Sequence, residues 1–238
     1  MEAKYTEMHI HIIPGVDDGA EDLETSLAMA RCAYDEGIRT IIATPHNAAF
    51  DGWDNQARSS FEKLKDELSA NEIGIDLLLG SEVYIDSETI RSVVRHIGKK
   101  YPSLNGTKYV LTEFSLFTSD LESSKNCVCR MLDKGYTPII AHAERYQLEV
   151  EELYELQELG CQLQVNYSDL IPLQYYPMTM KADRMLKDES IDFVATDAHN
   201  MSSRKPLVRD MIEYLKKQCS GEYVNKLLYE NPQVFLAR

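Results

Sequence analysis

The segment His9-Ile10-His11-Ile12-Ile13-Pro14-Gly15-Val16-Asp17-Asp18-Gly19 places two histidines at alternate positions ahead of a Pro-Gly turn and two adjacent carboxylates. On a β-strand, His9 and His11 project from one face. Imidazole nitrogen and carboxylate oxygen bind borderline and hard divalent metals, and this strand with its loop supplies both. Alone, the pair is equally what a strand edge carrying two imidazoles would show. Its meaning depends on whether other strand ends are furnished in the same way.

Short β-like runs alternate with helical stretches along the chain. The runs are Glu7–Ile12, Thr40–Ala43, Asp76–Leu79, Tyr109–Phe114, Thr137–Ala141, Cys161–Val165 and Asp192–Ala195. Most are near-continuously apolar, as expected of parallel strands buried on both faces. Between them, Leu23, Leu27, Ala30 and Tyr34 share one helical face, with Gly37 placed to end that helix, and Phe61, Leu64 and Leu68 share another. Ser119–Lys134 and Glu151–Leu159 read as helices, the second closed by Gly160, and Leu207–Leu228 is largely helical. Strict βα alternation predicts an α/β fold with a parallel sheet, closed as a barrel or open and doubly wound. The loop after the first strand lacks the Gly-rich fingerprint of an open dinucleotide-binding sheet. A barrel instead gathers functional residues at many carboxyl ends.

That is the pattern present. Strand ends carry His9, His11 and Asp18; His46; Glu82; Glu113; His142; and Asp197 with His199. Five of the 6 histidines fall at these places, which predicts a multinuclear metal site. The sixth run ends Val165-Asn166-Tyr167-Ser168, polar but without an obvious ligand. Arg145 and Arg204 lie just past two ligand loops, where a guanidinium fork suits phosphate oxygens. The remaining histidine, His96, sits among Arg91, Arg95, Lys99 and Lys100 and is assigned to a solvated surface. Asp17 is the weaker ligand of its pair and Asp22 reads as a helix cap.

At 238 residues the chain is expected to form one domain, 1–238. A net charge of -14 argues against nucleic acid and anionic membrane surfaces as partners. The absence of a basic start with an apolar run predicts no signal peptide, and no segment is apolar enough to span a bilayer, so cytoplasmic residence is expected. The 5 cysteines, without CxxC spacing, read as reduced structural thiols. Six residues after each stand Ile38, Asp133, Gly135, Tyr167 and Asn225, so none has the arginine that a cysteinyl-phosphate loop needs.

The ordered motifs His9-Ile-His11 with Pro-Gly-Val-Asp-Asp-Gly, Ala-Thr-Pro-His46, Gly-Ser-Glu82, Glu113-Phe-Ser, Ala-His142-Ala-Glu-Arg145 and Thr-Asp197-Ala-His199-Asn resemble the PHP (polymerase and histidinol phosphatase) superfamily. Within it they are most similar to the metal-dependent tyrosine-protein phosphatases of bacterial capsule and exopolysaccharide operons. The resemblance spans essentially the whole chain. It implies a distorted seven-stranded (β/α)7 TIM-like barrel, three divalent ions (manganese, with iron or zinc also suited) and, as substrate, the phosphotyrosine tail of a cognate tyrosine kinase. Carried over by position, His9, His11, Glu82 and Asp197 hold one ion with Glu82 bridging. Glu113 and His142 complete a second, Asp18, His46 and His199 a third, and Arg145 with Arg204 grips phosphate. Glu7 stands where family members usually have Asp, which implies a supporting role.

The reaction so implied is phosphomonoester hydrolysis by metal-activated water, with His199 a candidate acid for the leaving group. Alternatives are a small phosphomonoester such as histidinol phosphate, a metal amidohydrolase, and an inert barrel that binds the kinase tail. No strand ends in the Lys that amidohydrolase barrels often carboxylate. Phe50 and Trp53 are candidates to stack on an aryl substrate.

Overall fold

The structure, a computed structural model, describes residues 4–51, 56–116, 120–171 and 177–236. The first half contains β1 (Tyr5–Ile10), α1 (Leu23–Asp35), β2 (Ile38–Ala43), α2 (Gln56–Ala70), β3 (Asp76–Leu79), β4 (Glu82–Tyr84) and α3 (Ile90–Val94). The second contains β5 (Tyr109–Glu113), α4 (Leu121–Leu132), β6 (Thr137–Ile140), α5 (Val150–Glu158), β7 (Gln162–Asn166), α6 (Tyr167–Leu170) and α7 (Pro177–Lys187). Then come β8 (Phe193–Ala195), α8 (Arg209–Gln218) and α9 (Gly221–Asn225), followed by a π-helical turn (Lys226–Glu230) and a 3-10 turn (Asn231–Phe235). All pairings are parallel, so the loops after the strands gather at one end.

The α/β alternation with parallel strands is as expected, while the strand count and sheet division among the described residues differ from a single distorted seven-stranded barrel. Among the described residues eight strands lie in two sheets, ordered β1-β2-β3 and β4-β5-β6-β7-β8. The difference arises at Gly80-Ser81. A Cβ on Gly80 would stand 2.8 Å from Leu104 Cδ2 and 3.1 Å from Ile42 Cγ2, so the bare backbone passes close to its neighbours there. The chain then steps from the first sheet to the second, and Glu82 opens a new strand against β5 instead of ending β3. At the two seams the described backbones meet in isolated bridges, Ile10–Ala198 and His46–Glu82. Both seams therefore lie among the candidate ligands.

An inner apolar cluster (Met8, Ile42, Leu111, Ile139, Ala141, Phe193, Ala195) is closed by Leu104 and Phe235. Alternate residues supply it within a strand, and two positions beyond Leu111 and Ala195 stand Glu113 and Asp197. The same strands are thus apolar along their length and carry candidate ligands at or just past their carboxyl ends. A larger cluster packs the helices onto the sheets, including Phe61, Leu64 and Leu68 of α2. On α1 the buried stripe is Ser26, Met29, Ala30 and Ala33, turned from the expected Leu23, Leu27 and Tyr34, which stay partly exposed. Asp22 caps α1 by accepting from Thr25 N. Gly37 (φ 98°) and Gly160 (φ 113°) end α1 and α5 in the left-handed conformation that favours glycine. The five cysteines are free; Cys127 is buried and Cys129 exposed, on opposite faces of α4.

Candidate metal centre

His9 in β1 and His11 just past its end are each oriented by a side-chain hydrogen bond. His9 Nδ1 meets Gln164 Oε1 at 2.9 Å and His11 Nδ1 meets Asp17 Oδ2 at 2.7 Å. With each Nδ1–H donating to these acceptors, both Nε2 lone pairs turn inward, only 3.4 Å apart. Two lone pairs cannot satisfy one another, so a cation between them is what the pair fits. The surrounding spacings agree. Glu82 stands 3.4 Å from His9 Nε2, 3.3 Å from His11 Nε2, 3.0 Å from His46 Nδ1 and 3.0 Å from His142 Nε2. Atoms bound at about 2.1 Å to a shared ion lie roughly 3.0–3.4 Å apart.

Three donor groups emerge: His11, Asp18, His46 and His199; His9, His11 and Glu82; and His46, Glu82 and Glu113. The first contains the expected trio Asp18, His46 and His199 and the second contains His9, His11 and Glu82, with His11 and His46 shared between groups. Asp197 Oδ1 joins the second group at 3.3 Å from His9 and 3.7 Å from His11. His142 belongs to none of the three, yet its Nε2 lies 3.7 Å from Glu113 Oε1, and its buried Nδ1 has no hydrogen-bond partner among the described residues. His46 is shared, with Nε2 facing Asp18 at 3.3 Å and Nδ1 facing Glu82. All nine expected ligands thus converge on one centre.

The two aspartates of the opening segment have different surroundings. The Asp17 side chain is buried, holds His11 and accepts from Gly19 N and His46 N, whereas Asp18 is 64% exposed and faces His46 and His199. Gly19 is required by space: a Cβ there would lie 2.2 Å from His11 O. Glu7 is buried and accepts from His9 N and Thr196 N, tying β1 to the loop after β8. Burial pushes its carboxyl up to about 7.

The electrostatics follow from this crowding. Burial opposes charge on His11, but Asp17 and Glu82 outweigh it and push the imidazole up to about 10. Burial likewise opposes ionisation of Glu82, yet His9, His11, His142 and His46 hold it well below the ordinary carboxylate value. Asp197 is lowered to about 2 against its burial by His9, Arg204 and His11. Burial and the charge on His11 lower His199 to about 4, so its imidazole is neutral near pH 7 and can offer Nε2 as a ligand. Carboxylates that favour positive charge at the imidazole Nε2 atoms also favour a cation there, and ligation displaces the protons.

Both expected arginines reach the rim. Arg204 Nη2 donates to Asp197 Oδ2 at 2.6 Å, and Arg145 Nη1 approaches the same oxygen at 3.4 Å. Arg145 is held from behind by Asp169 Oδ2, 2.9 Å from its Nε. His96 lies apart, exposed on the surface. Phe50 is only 6% exposed and belongs to the core, so it is not the open stacking platform expected; Trp53 lies outside the described residues.

β7, whose end is polar without an obvious ligand, supports the centre through side-chain amides. Gln164 Oε1 accepts from His142 N as well as His9, Gln164 Nε2 donates to Asn166 Oδ1, and Asn166 Nδ2 donates to Asp197 Oδ2. The signal was present in the alternation Gln164-Val165-Asn166, two amides on one face of a buried strand. Nothing in sequence reveals that His142 (φ 37°) and Asp197 (φ 50°) adopt the left-handed conformation, which is uncommon outside glycine and clusters at functional sites.

Residues 5–237 match the family described as capsular polysaccharide synthesis, CpsB/CapC. The tyrosine-protein phosphatase YwqE of Bacillus subtilis is 34% identical over 236 residues, covering 97% of this chain and 91% of YwqE. A solved structure, from a study of YwqE from B. subtilis and CpsB from Streptococcus pneumoniae as metal-dependent tyrosine phosphatases, superposes with TM-score 0.84 at 32% identity. It covers 97% of this chain and 94% of the solved one. An amidohydrolase from Mycoplasma synoviae shares the fold at TM-score 0.63 and 14% identity, over 98% of this chain and 87% of its own.

Proposed function

The chain belongs to the capsular polysaccharide synthesis CpsB/CapC family, and from that premise we propose that it is a metal-dependent protein-tyrosine phosphatase acting as one domain across 1–238. Its nine candidate donors hold three divalent ions, manganese first, with iron or zinc equally compatible with nitrogen and oxygen ligands. The substrate is the phosphorylated tail of a bacterial tyrosine kinase, met in the cytoplasm. Among the described residues no helix is long and apolar enough to cross a membrane. The observation that carries the reading is the convergence of Arg145 and Arg204 on Asp197 at the edge of the donor cage, an anion grip beside a cation site.

Bound ions would polarise the phosphoryl oxygens and lower the pKa of water toward neutrality, supplying the nucleophile. Arg145 and Arg204 orient the phosphoryl group and offset the charge that builds on its oxygens in the in-line transition state. Asp169 fixes the Nε edge of Arg145, leaving the Nη atoms to face the substrate. Asp18, exposed between His46 and His199, is the carboxylate best placed to orient the attacking water. A phenolate with an ordinary pKa near 10 leaves without full protonation, so the neutral His199 need not act as an acid.

The test compares turnover of a phosphotyrosine peptide, a phosphoserine peptide and histidinol phosphate by the metal-loaded protein. Selective hydrolysis of the first supports the reading. Preference for histidinol phosphate replaces it with the small-substrate alternative, and hydrolysis of none makes the chain a binding protein.

A further inference from the structure

Beside the donor cage lies a cleft of about 730 Å³, of the size that takes organic ligands. Arg145 and Arg204 form one part of its lining, and Lys205, Leu207 and Arg209 form another. We propose that this cleft is the docking groove for the polypeptide flanking the phosphotyrosine, and that it selects acidic side chains there. The inference rests on the phosphatase reading above.

Three observations support it. The first is continuity: the arginines that grip phosphate are themselves walls of the cleft, so a chain leaving the phosphotyrosine enters it directly. A small phosphomonoester would occupy only the arginine end and leave the rest unused. The second is charge. In a chain of net charge -14, four cations line this one cleft, against the carboxylates Glu36 and Asp210. Glu36 is already engaged, its Oε2 accepting from Val208 N and Arg209 N at the start of α8. Arg209 reaches the Asp35 carbonyl and lies 3.7 Å from Glu36 Oε1, whereas Lys205 has no carboxylate within ion-pair distance among the described residues. The third is the apolar lining. Leu207 is 53% exposed between the two cationic residues, and Tyr167 faces the same space. A peptide can lay its aliphatic stems there while its carboxylates meet Lys205 and Arg209.

The experiment uses three phosphotyrosine peptides of equal length whose flanks are Glu-rich, Ser/Gly-rich or Lys-rich, with p-nitrophenyl phosphate as a substrate that lacks flanks. The wild-type, metal-loaded protein is expected to favour the acidic over the neutral peptide in kcat/KM by about fivefold at low salt, less at high salt. Lys205→Glu should abolish or invert that preference. Lys63→Glu on α2, which carries the same charge change but does not line the cleft, should retain it. Equal kcat/KM for all three peptides, or an unchanged preference in Lys205→Glu, would overturn this inference alone. Hydrolysis of p-nitrophenyl phosphate but of no phosphotyrosine peptide would overturn the phosphatase reading, and this inference with it.

Discussion

Replacing Gln164 by Met removes one oxygen on which two strand ends depend. Gln164 is fully buried; its Oε1 accepts from His9 Nδ1 at 2.9 Å and His142 N at 3.0 Å, while its Nε2 donates to Asn166 Oδ1 at 2.8 Å. Methionine fills nearly the same volume, so the change is not one of cavity formation. It leaves two buried donors without an acceptor and one acceptor without its donor. At roughly 1–3 kcal/mol per stranded donor, the cost is about 2–6 kcal/mol, a large part of the total stability of an ordinary domain. The same loss frees the His9 ring to rotate, which should weaken metal binding by about 10- to 100-fold. Urea unfolding of the chelator-treated protein reads the first effect, and competition with a metal indicator reads the second. Gln164→Glu, which keeps the acceptor, should recover most of the metal affinity. Stability within about 0.5 kcal/mol of wild type together with unchanged metal affinity in Gln164→Met would refute the reasoning.

Asp169→Asn should loosen Arg145 and lower kcat/KM for an aryl phosphate by about tenfold with metal content unchanged, measured by steady-state kinetics beside elemental analysis. Gly19→Ala forces a Cβ into the His11 backbone; it should cost about 1–3 kcal/mol in thermal or urea unfolding and reduce the bound metal. Asp192 predicts a pH effect remote from the site. Burial raises its pKa above the ordinary carboxylate value, although Leu163 N and Gln157 Nε2 both donate to Oδ2. A carboxyl with a raised folded-state pKa contributes stability that is complete below the unfolded value and lost as pH rises through the folded one. Asp192→Asn keeps an acceptor for both donors without the buried charge. Its Tm should therefore exceed that of wild type near pH 7, with the difference vanishing near pH 3.

Much of the centre was legible because its chemistry is concentrated in rare residue types at strand ends. Five histidines and four carboxylates at the ends of apolar runs have few uses other than chelation, and the structure brings all nine together. The different surroundings of Asp17 and Asp18 were not legible in their cause, since they depend on Asp17 folding back onto His11 Nδ1. What escaped were residues with ordinary side chains in unusual places. Gln164 and Asn166 look like strand polarity until their partners are known, and Asp169 carries no signal until Arg145 lies beside it. The step at Gly80-Ser81 was invisible for a similar reason, because it depends on how closely Leu104 and Ile42 pack against that backbone. The α1 face was hard to place because its buried stripe includes the small Ser26 and Ala33, which Leu27 and Tyr34 outweigh in hydrophobicity.

The most direct test of the central claim is elemental analysis of protein purified without added metal, followed by titration of divalent ion into chelator-stripped protein while phosphotyrosine peptide turnover is recorded. The stripped protein is expected to show no turnover, with recovery that saturates at about three ions per chain. Thiol-blocking reagents should leave the recovered rate unchanged. Full turnover in stripped protein, or a metal-replete protein inert toward every aryl phosphate, would contradict that claim.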